Sequence, residues 1–474
     1  MEFQTLSHAG LRVSAGGKEL ICDPWLVGSV YWRSWWNYPP VPRDLVNTLK
    51  PDFIYLTHLH WDHFQADSLR LFAPDTPVIV PFDRYERMTR DLATVGMTNV
   101  REIRHGQRME LAPGLAIRSF QFAPFVTDSA VVIEAEDQIL FNANDAKFAG
   151  LPLRHILSHY DKVDFCFRSH SSANPRANFH YTDAPDEEID DNEHYLRAFC
   201  LFQERVKPRY AIPFASNSCL LHDDVWDMNH LVQTPLAVAE YFAKFRAERG
   251  LDTELQIMIP GDRWNSQTGF HLQEHDYFTN RDKHLEAYRE RVRPAMERQA
   301  QKEAKQTVRL SQVETFFGEL ARKVPGFLLK PLRGREVLFV SKSEKKTQGF
   351  AVDAAAGKVR EVGPEEFGAF PMRIEFPALI LRQAIGMNMF GHAGISKRVH
   401  YYAPKAMMPT LQRLVDLLEW EEAELFPLRA NFKGRSVRAA LPRWREGLLY
   451  MQVLGHVARG RALPDIEERV LASA

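Results

Sequence analysis

Hydrophobic and polar positions along the first half of this chain fall into short blocks whose period keeps changing. Leu11-Arg12-Val13 and Glu19-Leu20-Ile21-Cys22 flank Gly16-Gly17, so residues 3–24 read as two strands joined by a tight turn. Asp52-Phe53-Ile54-Tyr55-Leu56 and Val78-Ile79-Val80 are apolar runs too short for helices and read as buried strands. The runs Leu115–Phe120, Val131–Ile133, Gln138–Phe141, Val163–Phe167 and Leu255–Ile259 read the same way. Asp67–Phe72, Phe82–Thr94 and Leu151–Lys162 suit helices. Strands alternating with helices predict an α/β layer architecture.

The pattern changes after residue 280. Residues 281–306 carry opposite charges at helical spacing, as an exposed or bridging helix would, with Pro294 interrupting it and Pro325 to Arg335 forming a second break. Glu336–Val340 and Gly349–Val352 are strand-like, and Leu379–Phe390 and Leu411–Phe426 read as amphipathic helices. The expected division is an α/β domain over 1–280, a charged helical linker over 281–330 and a smaller α+β accessory domain over 331–474. At 474 residues the chain exceeds the size at which one core stops growing, which agrees with two domains. In the accessory part His392, His400 and Tyr401-Tyr402 are candidates to line a pocket, with ordinary packing the favoured reading.

A formal charge of −1 implies no overall attraction to nucleic acid or to an anionic membrane. The N-terminus lacks a leader pattern and no apolar run reaches membrane-spanning length, so a cytoplasmic location is expected. The four cysteines, Cys22, Cys166, Cys200 and Cys219, have no C-x-x-C spacing, which argues against a disulfide framework or a zinc knuckle.

The chemistry concentrates in Thr57-His58-Leu59-His60-Trp61-Asp62-His63, directly after the strand at 52–56. Imidazoles and a carboxylate on a strand-exit turn suit zinc, iron or manganese, and His58, His60, Asp62 and His63 together can serve two divalent ions. Upstream, Tyr31-Trp32-Arg33-Ser34-Trp35-Trp36 is an aromatic segment, and Trp32, Trp35 and Trp36 are expected either to wall a substrate site or to close a small satellite core. Two later polar turns leave strands, and they carry His170 and His222 as candidate ligands, with His170 also a candidate acid/base. The acidic run Asp186–Glu193 reads as a solvated helix start.

The H-x-H-x-D-H pattern resembles the signature of the metallo-β-lactamase superfamily, which implies an αββα sandwich with a one- or two-metal site at one edge of its sheets. The resemblance implies that His58 and His60 serve a first ion and Asp62 and His63 a second. Asp145, after Gln138–Phe141, matches the family's bridging aspartate. Ser7-His8-Ala9-Gly10, Cys22-Asp23-Pro24 and the tryptophan segment resemble the lactonase-like branch, which includes the metallo-β-lactamase part of CMP-N-acetylneuraminate hydroxylase. That hydroxylase also carries a Rieske iron–sulfur domain, whose paired Cys and His ligands are missing here. Where the hydrolytic members place another histidine, this chain has Ala123–Ala130 with Asp128 as the one strong ligand type. A carboxylate in place of an imidazole favours iron or manganese over zinc.

Three functions follow as expectations. One is a di-iron, oxygen-dependent hydroxylase of a polar or nucleotide-sugar-like small molecule, supplied with electrons by an external donor. The others are a metal-dependent hydrolase of a lactone, ester or phosphoester, and a binding protein with a degenerate metal site. Asp62 and His170 are the candidate catalytic groups.

Overall fold

The computed structural model describes residues 1–123, 128–171, 173, 175–187, 192–457 and 469–472. Two mixed sheets form the first half. One has eight strands, centred on Glu2–Thr5, Leu11–Ala15, Lys18–Cys22 and Phe53–Tyr55. The other has seven, centred on Leu115–Phe122, Asp128–Ala135, Gln138–Asn144 and Phe165–Arg168. The expected opening hairpin is present, and Glu2–Thr5 adds a third strand to it, with Phe3 opposite Val13. Every second residue along these strands points into the gap between the sheets. Phe3, Val13, Leu20, Tyr55 and Ile79 of the first sheet therefore meet Ile117, Val131, Ile133, Phe165 and Ile212 of the second in one dry layer.

Helices cover both outer faces. Arg87–Val95 lays Met88 and Leu92 on Ile54, Val78 and Val80. Gly150–Leu157 and Asn192–Val206 lay Leu153, Ile156 and Phe202 on Val132 and Phe141. The result is the αββα sandwich that the resemblance implied.

The C-terminal part is built on a third sheet of six strands, order Phe179–Tyr181, His400–Ala403, Arg373–Pro377, Val337–Lys342, Thr347–Asp353, Lys358–Val362. Its first strand comes from the sandwich half of the chain and pairs in parallel with His400–Ala403, Phe179 opposite Tyr401. Helices Leu310–Lys323, Ala378–Met387 and Met408–Glu422 pack on this sheet through Phe317, Leu381 and Leu414. The sequence suggested a break at Pro294, but the helix Arg281–Ala304 runs through it. Proline removes one backbone donor, and on a mostly exposed helix that loss is borne by neighbouring turns and water. No helix among the described residues is long and apolar enough to cross a membrane.

Candidate metal centre

The site lies where the strands Lys18–Cys22, Phe53–Tyr55 and Gln138–Asn144 end together. Asp23, with φ of 43° and no exposed surface, is its anchor. Its carboxylate accepts the Thr57 backbone N–H at 2.8 Å, the Thr57 hydroxyl at 2.7 Å and the Asn144 amide at 2.6 Å. It also meets His63 Nδ1 at 2.9 Å. A carboxylate on Nδ1 fixes ring orientation and directs Nε2 at the site, the usual arrangement behind a metal-ligating imidazole. The sequence marked Asp23 as a strand end and as part of the lactonase-like Cys22-Asp23-Pro24, without a role at the site.

Around that anchor the donors fall into two groups. His58 Nε2 lies 2.8 Å from His60 Nδ1 and 3.6 Å from Asp145 Oδ2. His63 Nε2 lies 3.4 Å from Asp62 Oδ2, which in turn lies 3.1 Å from His8 Nε2. Within each group the three ligand atoms are all within 4.8 Å of one another. Asp145 Oδ2 also lies 3.7 Å from His63 Nε2, so this one oxygen faces both groups. His63 Nε2 and Asp145 Oδ1 are buried without a hydrogen-bond partner. Buried polar atoms left unsatisfied are costly, and cations at the site would relieve that cost. The residues present fit two divalent ions.

The electrostatics of His58 and His60 agree with that fit. Burial, then the neighbouring histidines, pushes His58 and His60 down to about 3, which keeps them in the neutral form that binds metal. Burial opposes protonation of His63 as well, but Asp62, Asp145 and Asp23 outweigh it and hold that ring well above the ordinary histidine value. Asp62 is held well below the carboxylate range, burial being overcome by His63 and His8. The Tyr31 hydroxyl donates to Asp62 Oδ1 at 2.5 Å and fixes its second oxygen.

Asp128 opens the strand Asp128–Ala135, and residues 124–127 before it lie outside the described residues. Its Oδ1 accepts the Ser129 N–H at 2.6 Å and lies 3.4 Å from His58 Nδ1, on the face of that ring opposite His60 and Asp145. Burial, then Asp145, raises its carboxyl well above the usual range. The structure therefore brings Asp128 to His58 but outside both tight groups.

His170 and His222 belong to neither donor group. His170 is 1% exposed, and its backbone N–H donates to Ser216 Oγ at 3.0 Å. Its neighbours Ser169 and Ser171 line the cavity and it does not, so the turn presents the alternate residues. His222 caps the 3₁₀ helix Asp223–Leu231, its Nδ1 accepting the Asp224 N–H at 3.2 Å. Of the acidic run, residues 188–191 lie outside the described residues, and Glu193 stands in the first turn of Asn192–Val206.

The donors open into a cavity of about 940 Å³. Trp32 and Trp35 line it, both nearly buried, whereas Trp36 turns away and packs edge-on against Tyr288, with ring centroids 5.8 Å apart. The aromatic segment therefore lines the cavity with Trp32 and Trp35 and closes a small core with Trp36. Trp61, inside the histidine motif, joins the wall by stacking on Tyr31 at 5.7 Å. The opposite wall comes from the C-terminal half: Leu379, Gln383, His392, Glu419 and Glu422. Sequence reading assigned none of them to the site, because no motif connects them to residue 58.

No family model matches the chain. CMP-N-acetylneuraminic acid hydroxylase of Mus musculus is 29% identical over 147 residues, 30% of this chain and 25% of that protein. The Pan troglodytes enzyme is 38% identical over 79 residues, 16% and 13% of the two chains. A Mycolicibacterium smegmatis protein described as a Rieske 2Fe-2S iron-sulfur protein is 25% identical over 244 residues, 48% of this chain and 46% of that one. The chain spans less than half the length of these curated relatives. Among solved structures, isothiocyanate hydrolase from Delia radicum gut bacteria is similar at a TM-score of 0.39 and 18% identity, covering 56% of this chain and 99% of that one. CmlA, a diiron β-hydroxylase from Streptomyces venezuelae, is similar at 0.34 and 12%, covering 55% and 53%. In its histidine motif, its αββα architecture and its curated relatives, this chain is similar to the metallo-β-lactamase-fold metalloenzymes.

Proposed function

We propose that this chain is a binuclear metalloenzyme, and that it uses two iron ions and dioxygen to hydroxylate a polar, nucleotide-sugar-like small molecule. The observation that carries the reading is the donor set, in which each group of ligands includes a carboxylate, Asp145 or Asp62, and Asp128 stands 3.4 Å from His58 Nδ1 outside both groups. Oxygen donors among imidazoles suit iron or manganese better than zinc. Bound iron would supply the binding and reduction of dioxygen. His58, His60 and Asp145 would hold one ion, with Asp128 beside them, and His8, Asp62 and His63 the other.

The protein's own groups do the rest. Tyr31 keeps Asp62 oriented through its hydroxyl. Trp32, Trp35 and Trp61 give the cavity an apolar wall that excludes water and offers flat faces to a ring or sugar. The four cysteines are all buried and unpaired with one another, and the sequence holds no Rieske ligand set, so the reading requires electrons from a separate donor.

Hydrolysis of a lactone, ester or phosphoester is the second reading. It is favoured by the neutral imidazole pair His58–His60, which suits zinc and a zinc-bound hydroxide. Metal analysis of anaerobically purified protein separates the two. Two irons with oxygen-sensitive absorption support the hydroxylase, and two zincs support the hydrolase. Less than roughly a tenth of an equivalent of any metal would sink both.

A further inference from the structure

Every donor of the metal centre lies between residues 8 and 145, yet a histidine from the C-terminal half reaches the same loop. The short helix Phe390–Ile395 carries His392, 6% exposed, into the cavity wall. Its ring centroid is 5.6 Å from that of His60 and 5.2 Å from that of Trp61. Nδ1 is hydrogen-bonded to Glu422 Oε1, and Glu422 Oε2 accepts the Gly391 N–H at 2.5 Å, so the imidazole and the carboxylate fix one another. Nε2 meets the Leu59 carbonyl at 3.4 Å, the peptide oxygen between His58 and His60.

This repeats the arrangement at His63, where Asp23 holds Nδ1 and Nε2 faces the site. In both places a buried carboxylate sets the angle of an imidazole, and the far nitrogen is directed at the metal loop. His63 belongs to the metal loop itself, whereas His392 reaches that loop from the C-terminal half.

We propose that His392, held by Glu422, is a positioning residue of the metal centre. By packing beside His60 and contacting the Leu59 carbonyl it holds His58 and His60 at ligand spacing. The C-terminal half is then a working part of the centre. The inference rests on the binuclear-metal reading given above.

The test is a Co²⁺ titration of the metal-stripped full-length chain, followed by the ligand-field absorption of the bound ion, with a thermal melt of each variant. His392→Ala and Glu422→Gln should each weaken Co²⁺ binding about tenfold and shift the absorption band. His392→Gln keeps a polar group near the Leu59 carbonyl and should recover part of the loss. Leu338→Ala serves as the control: it opens a separate apolar cluster of the C-terminal sheet, with Val340, Ala351 and Val362, so it should lower the melting temperature and leave Co²⁺ affinity unchanged. Wild-type affinity and band position in His392→Ala, or an equal loss in Leu338→Ala, overturn the inference alone. A wild-type chain that takes up no cobalt overturns the metal-centre reading and this inference with it.

Discussion

The two walls of the cavity differ in what their side chains leave unsatisfied. On the sandwich wall, His63 Nε2 and Asp145 Oδ1 are buried with no partner, and Asp23, Asp62 and Asp128 crowd charge into one strand-end cluster. On the C-terminal wall His392 is bonded to Glu422, and Gln383 Oε1 accepts the Trp32 indole N–H at 2.5 Å. Glu419 is the exception there, a carboxyl that burial and neighbouring acids push up. The first wall offers unsatisfied ligand atoms to a cation, whereas the second holds most of its named polar groups in pairs. Ligand atoms belong to one side of this cavity, support and shape to the other.

The hardest test of that contrast is Asp145→Ala, which removes the one oxygen facing both donor groups. Affinity for both ions should fall by more than the roughly 10- to 100-fold that outer groups cost, and metal content after dialysis reads it. Two ions retained at wild-type affinity would place the centre elsewhere. Asp128 sharpens the metal identity. Asp128→Asn should weaken the ion at His58 about tenfold and spare the one at Asp62 and His63, while Asp128→His should shift uptake from a mixed-metal medium towards zinc. Unchanged content in Asp128→Asn would remove Asp128 from the centre.

Tyr31→Phe conserves volume but leaves Asp62 Oδ1 without its 2.5 Å donor. It should cost about 1–3 kcal/mol, seen as a lower melting temperature of the metal-stripped protein. A melt identical to wild type would mean that the hydroxyl contributes nothing. The C-terminal wall is tested by a titration. Burial first, then Asp416 and Glu422, pushes Glu419 up from 4.5 to about 8. A folded-state value raised in this direction means that its favourable contribution is complete below about pH 4.5 and is lost as pH rises through about 8. Glu419→Gln should therefore melt above wild type at about pH 9 and together with it near pH 4. The opposite ordering would show that the carboxylate is solvated.

Much of the sandwich half can be read from the sequence because its signals are local. The strand at 53–55 runs straight into the histidines, and the strand before Asp145 is a plain apolar run. What escaped is non-local. Asp23 lies 34 residues from Thr57, and His392 lies 333 from Leu59, and no spacing rule joins either pair. His170 and His222 stand in polar strand-exit turns as expected, but a turn presents alternate residues, and composition does not say which. Four strands of the C-terminal sheet were missed, two of them for a plain reason. Lys358–Val362 is an edge strand exposed at most positions, and Phe179–Tyr181 has only three residues, so neither shows the alternation that marks a strand.

The strand Phe179–Tyr181 has a consequence for how the molecule comes together. His180 meets its partner His400 across 220 residues of chain, so this pairing closes a very long loop and must follow the collapse of both halves. Until it forms, His400–Ala403 is a bare sheet edge able to recruit a foreign strand, which makes a chain cut between the halves prone to aggregate. A stop after the sandwich would strand Phe179–Tyr181 in the same way. The two halves are thus tied as in a lap joint, and heat should take them apart in one transition.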